Sequence, residues 1–446
     1  MQSETTYIVA LEIGSSKVRA AVGQTSHDAP LTVTAVEEEA LPSDIVRYGV
    51  VRNVEKVANA INRLISRLNR RLAPRSIKSV YVALGGRSVC SSERCVERQL
   101  PEEKEITPQL IRELRLEAMS TTPLGMLGAD DLIGALPRYF VVDGITTTQP
   151  EGVVGRDINA CFVIVAAQDK LRKNIERVVS EKLGLDISGF ILRPIAVADY
   201  VLTNDERALG CMLVDFGAET TTVSVYKNSR LQYLSTLPIG SRNITRDIMA
   251  LPYLEEQAES LKRTGGNAMP KPGETYISSG VDFSQINNYV AARASEIVIN
   301  IRAQIQAAGF TAQELPKGII IVGGGAKLRG FNERLAELTK MHVRTGLPSA
   351  SVRIADGTIS PGEFIDIISV LANAALTPEE CLTPLPEPEP LPEPEIEENW
   401  VDNTVQPAPE KKKKRPGLFR KWGDKLVGLM KDDDLDNDDN DFRDDE

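Results

Sequence analysis

Two short segments of the chain, about 200 residues apart, share a pattern that can bind phosphate and a metal ion. The first reads Leu11-Glu12-Ile13-Gly14-Ser15-Ser16-Lys17, and the second reads Val214-Asp215-Phe216-Gly217-Ala218-Glu219-Thr220. In each segment an acidic residue at the end of an apolar run is followed by one apolar residue, a glycine and a polar turn. Turn N–H groups and hydroxyls bind phosphate oxygens, and a carboxylate can hold Mg²⁺ through water.

The repetition of this pattern turns its residues into candidates for a nucleotide site. One such hairpin alone is typical of an ordinary β-turn, whereas two in matching register favour two related lobes that hold a nucleotide from opposite sides. The phosphate-binding candidates are Gly14, Ser15, Ser16, Lys17, Asp215, Gly217 and Thr220, and the Mg²⁺ candidates are Glu12 and Asp215.

A third candidate is the glycine run that follows the apolar segment Ile319–Val322. A glycine run directly after a buried strand lets the backbone pass close to a ligand before a helix begins. Taken alone, it is equally typical of a simple loop, and it matches neither the P-loop nor the GxGxxG pattern. Its candidate residues are Gly323, Gly324, Gly325 and Lys327.

The hydrophobic periodicity predicts the elements that must position these candidates. The predicted strands are Tyr7–Leu11, Val18–Val22, Val80–Leu84, Ala160–Val165 and Ile319–Val322, with a strand–turn–strand over 211–226. The predicted helices are 54–72, Pro108–Met119, Asp169–Leu183, Phe331–Thr339 and Glu363–Ala375, and residues 240–300 are largely helical with a break at Gly265–Gly273.

The formal net charge of −11 comes entirely from the end of the chain. Residues 1–377 hold 42 acidic and 42 basic side chains, so this part offers no strong field for nucleic acid. Residues 378–410 carry −10 and nine prolines, a composition typical of an extended linker. Residues 411–431 carry +8. Residues 432–446 carry −9, which indicates either a solvated terminus or a segment that tunes membrane binding.

The basic segment predicts an amphipathic helix over Leu418–Lys431, after Pro416-Gly417. Its apolar side chains share one face, as in helices that lie in an anionic membrane surface. The alternative is a helix that docks on the protein's own core, which the charged, proline-rich linker disfavours. The predicted membrane-contacting residues are Leu418, Phe419, Trp422, Leu426, Leu429 and Met430.

Histidine and cysteine usage disfavours several kinds of site. The two histidines, His27 and His342, are far apart, which argues against a catalytic triad or a His-rich metal centre. The five cysteines have no CxxC spacing, which predicts a reduced protein without disulfides; a Cys90–Cys95 bridge is the alternative. Because the sequence shows neither a signal peptide nor a run apolar enough to span a membrane, we expect a cytoplasmic protein.

The three glycine-containing motifs, in this order, resemble the phosphate-1, phosphate-2 and adenosine motifs of the actin/Hsp70/hexokinase superfamily. With the insertion between Gly86 and Cys161 and the stretches 238–248 and 258–262, the chain is similar to the FtsA family of bacterial cell-division actin homologues. The resemblance covers about residues 6–376 and the C-terminal helix. It places Gly240, Glu259 and Lys262 near the nucleotide, although from spacing alone the last two are typical of an exposed helical pair.

The resemblance implies an α/β, two-lobed actin-like ATPase fold with RNase H-like sheets and a small α+β insertion, followed by a disordered tail and an amphipathic helix. The implied boundaries are 1–86, 166–204 and 360–377 for lobe 1, 87–165 for the insertion, 205–240 and 300–359 for lobe 2, 241–299 for a helical nucleotide-side subdomain, 378–410 for the linker, 411–431 for the membrane helix and 432–446 for the acidic tail.

The family resemblance also implies a function. The chain is expected to bind ATP and Mg²⁺, to self-assemble into polymers, and to tether filaments of the tubulin homologue FtsZ to the cytoplasmic face of the inner membrane at the division site. It is further expected to help recruit later division proteins. The alternatives are an actin-like pilus-assembly scaffold and a sugar-kinase-type phosphotransferase; a chaperone would require a further peptide-binding β-domain.

Two residues depart from the superfamily pattern. Glu12 stands where Asp is usual, and Arg193 stands where filament-forming and chaperone relatives place a carboxylate. An arginine cannot act as a general base as a carboxylate would. We therefore expect strong ATP binding with slow or negligible hydrolysis, and we assign no catalytic residue.

Overall fold

Two mixed β-sheets are built around the two hairpins in the computed structural model, which describes residues 5–26, 29–120, 130–271, 277–278 and 280–384. The strands are β1 (Thr6–Ile13), β2 (Lys17–Ser26), β3 (Ala29–Ala40), β4 (Val46–Arg47), β5 (Val50–Val51), β6 (Arg75–Ile77), β7 (Ser79–Leu84), β8 (Cys90–Glu105), β9 (Asp130–Val142), β10 (Ile145–Thr147), β11 (Val154–Gln168), β12 (Asp186–Leu192), β13 (Cys211–Phe216), β14 (Thr221–Lys227), β15 (Arg230–Leu237), β16 (Ile277–Ser278), β17 (Val281–Asp282), β18 (Ile319–Val322), β19 (Val343–Thr345), β20 (Arg353–Ile354) and β21 (Leu382–Pro384).

Helices cover both sheets. They are α1 (Val54–Leu72), α2 (Pro108–Ser120), α3 (Asp169–Glu176, continued by a π-helical turn Arg177–Lys182), α4 (Arg193–Val201), α5 (Asn204–Leu209), α6 (Ser241–Ile248), α7 (Glu255–Gly265), α8 (Phe283–Ala307), α9 (Phe331–Thr339) and α10 (Ile365–Ala374), with 3₁₀ turns at Ala312–Glu314 and Gly324–Lys327.

The two sheets repeat one topology. The first sheet has the strand order β12-β7-β1-β2-β3-β20, and the second has the order β10-β9-β11-β8-β15-β14-β13-β18-β19. In the first, β3, β2 and β1 are antiparallel neighbours, and β7 and β12 continue in parallel. In the second, β15, β14 and β13 are antiparallel, and β18 and β19 continue in parallel. The β1–β2 and β13–β14 hairpins therefore occupy equivalent positions, as their shared pattern predicts.

The central strands of each sheet are buried on both faces, which explains their continuous apolar sequences. Every residue of β7, β13 and β18 is buried, as expected for strands with parallel neighbours that helices cover on both sides. The predicted strand Ile319–Val322 and the predicted helices 54–72 and Phe331–Thr339 have the predicted bounds. Strong, unbroken periodicity made these elements predictable.

The strand β3 was not predicted, because its C-terminal half is acidic. Glu37 and Glu39 on this strand are bound by Arg67 of α1, whose Nε and Nη1 atoms lie 2.9 and 2.8 Å from their carboxylate oxygens. Leu31, Val33 and Ala35 of the same strand belong to the core. Charge pairing with a neighbouring helix thus stabilises a strand whose acidic composition is typical of a loop.

The segment predicted as an insertion, residues 87–165, contains β8, α2, β9, β10 and most of β11. It has its own hydrophobic cluster, in which Phe140 and Phe162 contact edge to face with ring centroids 5.8 Å apart. Its strands also extend the second sheet, because β8 pairs with β15 at Cys90 and Ser235. The inserted segment is therefore continuous with the edge of that sheet.

The prediction of a chain without disulfides is wrong. Cys95 of β8 and Cys161 of β11 stand opposite each other in the antiparallel ladder and form a disulfide, so the alternative Cys90–Cys95 bridge is wrong as well. Cys161 is buried and Cys95 is exposed. The 66-residue separation gave no sign of the pair, because only the register of β8 against β11 brings the two cysteines together.

The folded chain extends into the segment predicted as a linker. Residues Leu382–Pro384 form β21, which pairs antiparallel with β6, and Cys381 is fully buried. The Cys381 N–H donates to the carbonyl of Tyr7 on β1 at 2.8 Å, and Glu380 accepts from the Tyr7 N–H at 2.9 Å. Residues 378–384 therefore belong to the first sheet's lobe rather than to a linker.

Several predicted features lie outside the described residues. They include the rest of the 378–410 linker, the basic segment 411–431 with its membrane-contacting residues, the acidic segment 432–446 and His27. Among the described helices, none combines the length and apolar character that crossing a membrane requires.

Removing the C-terminal anchor should destabilise the folded part. A chain that ends at Thr377 loses the buried side chains of Cys381 and Leu382, a loss of roughly 2–4 kcal/mol of burial. We expect its thermal unfolding midpoint to lie several degrees below that of the full chain. A chain that ends at Pro384 is the matched control and should unfold like the full chain; equal midpoints for both truncations would contradict the anchor.

Candidate functional site

The two glycine turns have the same hydrogen-bond geometry. The N–H of Gly14 donates to the carbonyl of Lys17 at 3.0 Å, and the N–H of Gly217 donates to the carbonyl of Thr220 at 2.9 Å. A Cβ atom on Gly14 or Gly217 would lie 2.9 or 3.0 Å from that same carbonyl oxygen. Glycine is thus required at both positions by the tightness of the turn, and the sequence repeat is a structural repeat.

The acids that precede the two turns are joined by Arg193. Its Nη1 donates to Glu12 Oε1 at 2.8 Å, and its Nη2 lies 2.8 Å from Asp215 Oδ2 in an ion pair without directed hydrogen-bond geometry. Glu12 lies on the first sheet and Asp215 on the second, and both are buried. One guanidinium therefore connects the two sheets at the centre of the predicted site.

The backbone fixes the position of Arg193. It is the first residue of α4, directly after β12, and Pro194 occupies the first turn of the helix, where proline is favoured. The register of β12 against β7 pairs Leu192 with Leu84, so Arg193 comes next to Gly85. A Cβ atom on Gly85 would lie 3.3 Å from Arg193 Nε, so the bare glycine provides the space for the arginine side chain.

Two further charged residues, Arg19 and Asp366, surround this cluster. Arg19 Nη1 lies 3.8 Å from Glu12 Oε2 and 3.4 Å from Asp366 Oδ2, which belongs to α10. Burial disfavours the charge of Arg193, but the carboxylates of Asp215, Asp366 and Glu12 outweigh it and raise the pKa of Arg193. The arginine therefore stays charged, and the cluster holds three carboxylates and two guanidinium groups.

Asp215 has the most perturbed carboxylate of the site. Burial raises the pKa of Asp215, Arg193 lowers it, and the carboxylates of Asp366 and Glu12 raise it again. The pKa of Asp215 therefore lies above its ordinary value. The effects of burial and of the neighbouring acids on this pKa exceed that of Arg193, because the Asp215 side chain is only 5% exposed.

The donor set around Glu12 and Asp215 does not fit a magnesium ion held between them. Mg²⁺ requires near-octahedral oxygen ligands at 2.0–2.1 Å. Glu12 Oε1 and Asp215 Oδ2 are each already 2.8 Å from a nitrogen of the same guanidinium. The cation that these two acids share is Arg193, so their predicted role as magnesium ligands conflicts with the contacts they make.

The third motif and Gly240 both pack against the second hairpin. A Cβ atom on Gly323, whose φ is +91°, would lie 2.5 Å from the Phe216 carbonyl and 2.8 Å from Asp215 Oδ1. A Cβ atom on Gly325 would contact the Phe216 ring at 2.6 Å, and one on Gly240 would lie 2.4 Å from the Ala218 carbonyl. A Cβ atom on Gly324 would meet no atom within 4 Å. The run therefore combines close packing with one open backbone position.

Glu259 and Lys262 do not form the exposed pair that their spacing alone indicates. Lys262 is 7% exposed, and its ammonium contacts Glu259 Oε2 at 2.6 Å, Thr245 Oγ1 at 2.9 Å and the Ser241 carbonyl at 3.1 Å. Burial lowers the pKa of Lys262, and Glu259 opposes the shift. These contacts use the donors of the ammonium, so Lys262 holds α7 against the N-terminal turn of α6.

Sequence reasoning missed Glu219, which lies in the second turn itself. Its carboxylate is fully buried and accepts from the Tyr48 N–H at 2.8 Å, from Arg242 Nη1 at 3.2 Å and from Arg246 Nη2 at 3.2 Å. Tyr48 belongs to the segment between β4 and β5, and both arginines belong to α6. Glu219 is thus a second connection between the two halves of the site; its place between Gly217 and Thr220 was the available signal.

Two predicted residues direct their charges away from the cluster. Lys17 is bound to Glu38 of β3 at 2.8 Å, and Lys327 lies 3.5 Å from Glu363 with 63% of its side chain exposed. Ser15 and Ser16 lie in the first turn, where the Ser16 carbonyl accepts from the Leu41 N–H at 2.8 Å. The structure brings together the acids and glycines of all three motifs, but not these two lysines.

Comparison with known proteins identifies relatives over most of the chain. A family model described as cell division protein FtsA matches residues 212–364. The cell division protein FtsA of Porphyromonas gingivalis is 29% identical over 77% of this chain and 74% of its own length. The corresponding protein of Pseudomonas aeruginosa is 29% identical over 79% and 86%, and that of Streptococcus pneumoniae is 27% identical over 90% of both chains.

A solved structure supports the fold. The structure described as the PilM-PilN type IV pilus biogenesis complex superposes with a TM-score of 0.60, covering 83% of this chain and 99% of its own at 18% identity. With the repeated sheet topology, this likeness confirms the predicted α/β, actin-like fold. At this identity the likeness concerns the fold alone.

The buried carboxylate of Glu219 should be essential for stability. The variant Glu219→Ala leaves Arg242, which is 9% exposed, without its buried acid, and we expect a loss of about 3–5 kcal/mol in the free energy of unfolding. Glu256→Ala, at an exposed position of α7, is the matched control and should change stability little. Chemical denaturation of the two variants tests this; equal stabilities would refute the role of Glu219.

Proposed function

Because the chain belongs to the FtsA family of cell division proteins, we propose that it is an ATP-binding actin homologue that tethers FtsZ filaments to the cytoplasmic membrane. The proposed nucleotide site rests on one observation: two equivalent glycine turns and the glycine run lie around Glu12, Arg193 and Asp215. The proposed tether rests on the family and on the basic, amphipathic sequence of residues 411–431.

The described contacts suggest a role for each part of the site. The turns that begin at Gly14 and Gly217 present backbone N–H groups of the kind that bind phosphate. Glu259 and Lys262 connect α6 to α7 and leave little donor capacity on Lys262, so we assign Lys262 to positioning the nucleoside side of the site. Gly324 offers the open backbone that a ribose or base can approach closely.

The proposed nucleotide chemistry is binding with little turnover. Arg193 stands where a carboxylate would position the attacking water, and it is charged and paired with two acids. A sugar-kinase-type phosphotransferase needs a catalytic base near its substrate, and Arg193 cannot act as one.

The proposed partners follow from the family. We assign to the chain self-assembly through its two lobes, FtsZ as the partner on the filament side, anionic lipid as the partner of residues 416–431, and recruitment of later division proteins. The proposed location is the cytoplasmic face of the inner membrane at the division site. The pilus-assembly alternative has in its favour only a likeness in fold.

Slow hydrolysis is directly measurable. Purified full-length protein with saturating ATP should release phosphate at no more than a few turnovers per minute, because the position of the water-activating acid is occupied by Arg193. A phosphate-release assay measures this rate. A faster, steady ATPase activity that co-purifies with the protein would contradict the assignment.

Membrane tethering is tested by recruiting FtsZ to vesicles. Full-length protein with ATP should bring FtsZ to vesicles containing phosphatidylglycerol, and deletion of residues 416–431 should abolish this. Trp422→Glu places a charge on the apolar face of the helix predicted from the sequence and should weaken vesicle binding by about tenfold or more. Arg420→Gln makes the same change in charge on the opposite face and should cost about 1 kcal/mol or less.

The outcomes separate the two parts of the proposal. Binding of vesicles without recruitment of FtsZ would remove FtsZ as the partner. Vesicle binding that survives the deletion would remove residues 416–431 as the membrane anchor.

A further inference from the structure

Arg193 occupies the place that the sequence assigns to a divalent cation, between the acids of the two hairpins. We propose that its guanidinium replaces Mg²⁺ in this site, so that the chain binds a nucleoside triphosphate as the free anion, without a divalent metal. The inference rests on the proposed ATP binding and specifies the form of the ligand.

The first argument is the bridging geometry. A metal that joins two hairpins of this kind must interact with one acid from each. Here Arg193 meets one oxygen of Glu12 and one of Asp215, each at 2.8 Å. The planar guanidinium presents several N–H groups in a fixed fork, which allows one side chain to bind two carboxylates at once.

The second argument is that the fold is built to keep the arginine there. Arg193 directly follows β12, its neighbour Pro194 fixes the start of α4, and Gly85 leaves the space beside Nε. Its side chain is 16% exposed. Withdrawing it to admit a metal would leave Glu12 and Asp215 without their shared cation until the metal arrived, and breaking a buried ion pair in this way is strongly unfavourable.

The third argument is the charge balance that a phosphate group would meet. The three acids Glu12, Asp215 and Asp366 contribute three negative charges to the cluster. The two arginines, Arg19 and Arg193, contribute two positive charges. Without Arg193 the acids would repel a polyphosphate unless a metal screened them. With it, the acids are largely neutralised by the protein itself.

The guanidinium also retains donor capacity. Arg193 Nε is buried and has no hydrogen-bond partner among the described residues. Charge-assisted hydrogen bonds from a guanidinium to phosphate oxygens are among the stronger polar contacts in proteins. Arg193 therefore neutralises the acids while one of its N–H groups, beside Gly85, remains without a partner among the described residues.

The experiment measures ATP binding to the full-length protein with and without metal. Equilibrium dialysis with radiolabelled ATP is carried out in excess EDTA and in excess Mg²⁺. We expect the two dissociation constants to differ by less than about threefold. Binding that weakens by about tenfold or more in EDTA would overturn the proposal, since it would show that the metal, with Arg193 displaced, is the required cation.

Two variants show whether Arg193 is the cation responsible. Arg193→Met keeps the length of the side chain but removes its charge, and it should bind ATP about tenfold more weakly in EDTA and recover part of that loss with Mg²⁺. Arg63→Met, which removes an arginine paired with Glu39 on the first sheet, is the matched control and should bind like the parent chain. Thermal unfolding of both variants establishes that they are folded.

The result separates this inference from the proposed function. Absence of ATP binding in both buffers would refute the nucleotide site itself and the inference with it. Binding that requires Mg²⁺ would refute only the inference. If Arg193→Met does not fold, the comparison of ATP binding by the parent chain in the two buffers still tests the inference.

Discussion

The buried ion pairs of Arg193 with Glu12 and Asp215 are the contacts on which the arrangement of the site depends. Each acid ends the first strand of a hairpin, and the hairpins belong to different sheets. Like charges brought together at low exposure repel strongly, so the two sheets could not place their acids so close without a cation between them. The guanidinium supplies that cation from a third element, α4, and so fixes the two turns relative to each other.

Around this contact, the two halves of the chain are connected by similar means. Glu219 in the second turn accepts from the backbone of Tyr48 and from two arginines of α6, while Ser43 donates to Glu255 of α7 at 2.5 Å. These contacts join the β4–β5 region to the helices that follow the second hairpin. The site is therefore enclosed by polar contacts between segments distant in sequence, and few of them could be read from local patterns.

Prediction from sequence succeeded where a single local pattern determines the structure. The paired acid–glycine turns, the glycine run and α1 are each specified by residues within one short window. Prediction failed where the structure depends on contacts between two segments that are distant in sequence. The Cys95–Cys161 disulfide depends on strand register, β3 depends on arginines from α1 that neutralise its acids, and the buried state of Lys262 depends on α6. Arg193 was recognised as unusual, but only the structure shows that it contacts both acids.

The C-terminal anchor also has a mechanical consequence. The chain leaves the described fold through β21, a three-residue strand on β6, and through the backbone contacts of Cys381 and Glu380 with Tyr7 of β1. A tension applied to the chain beyond Pro384 is therefore delivered first to the strand that carries Glu12. The Arg193 ion pairs and the hydrophobic core that both sheets share connect this strand to the second sheet, so a pull on the tail loads the same contacts that hold the site together.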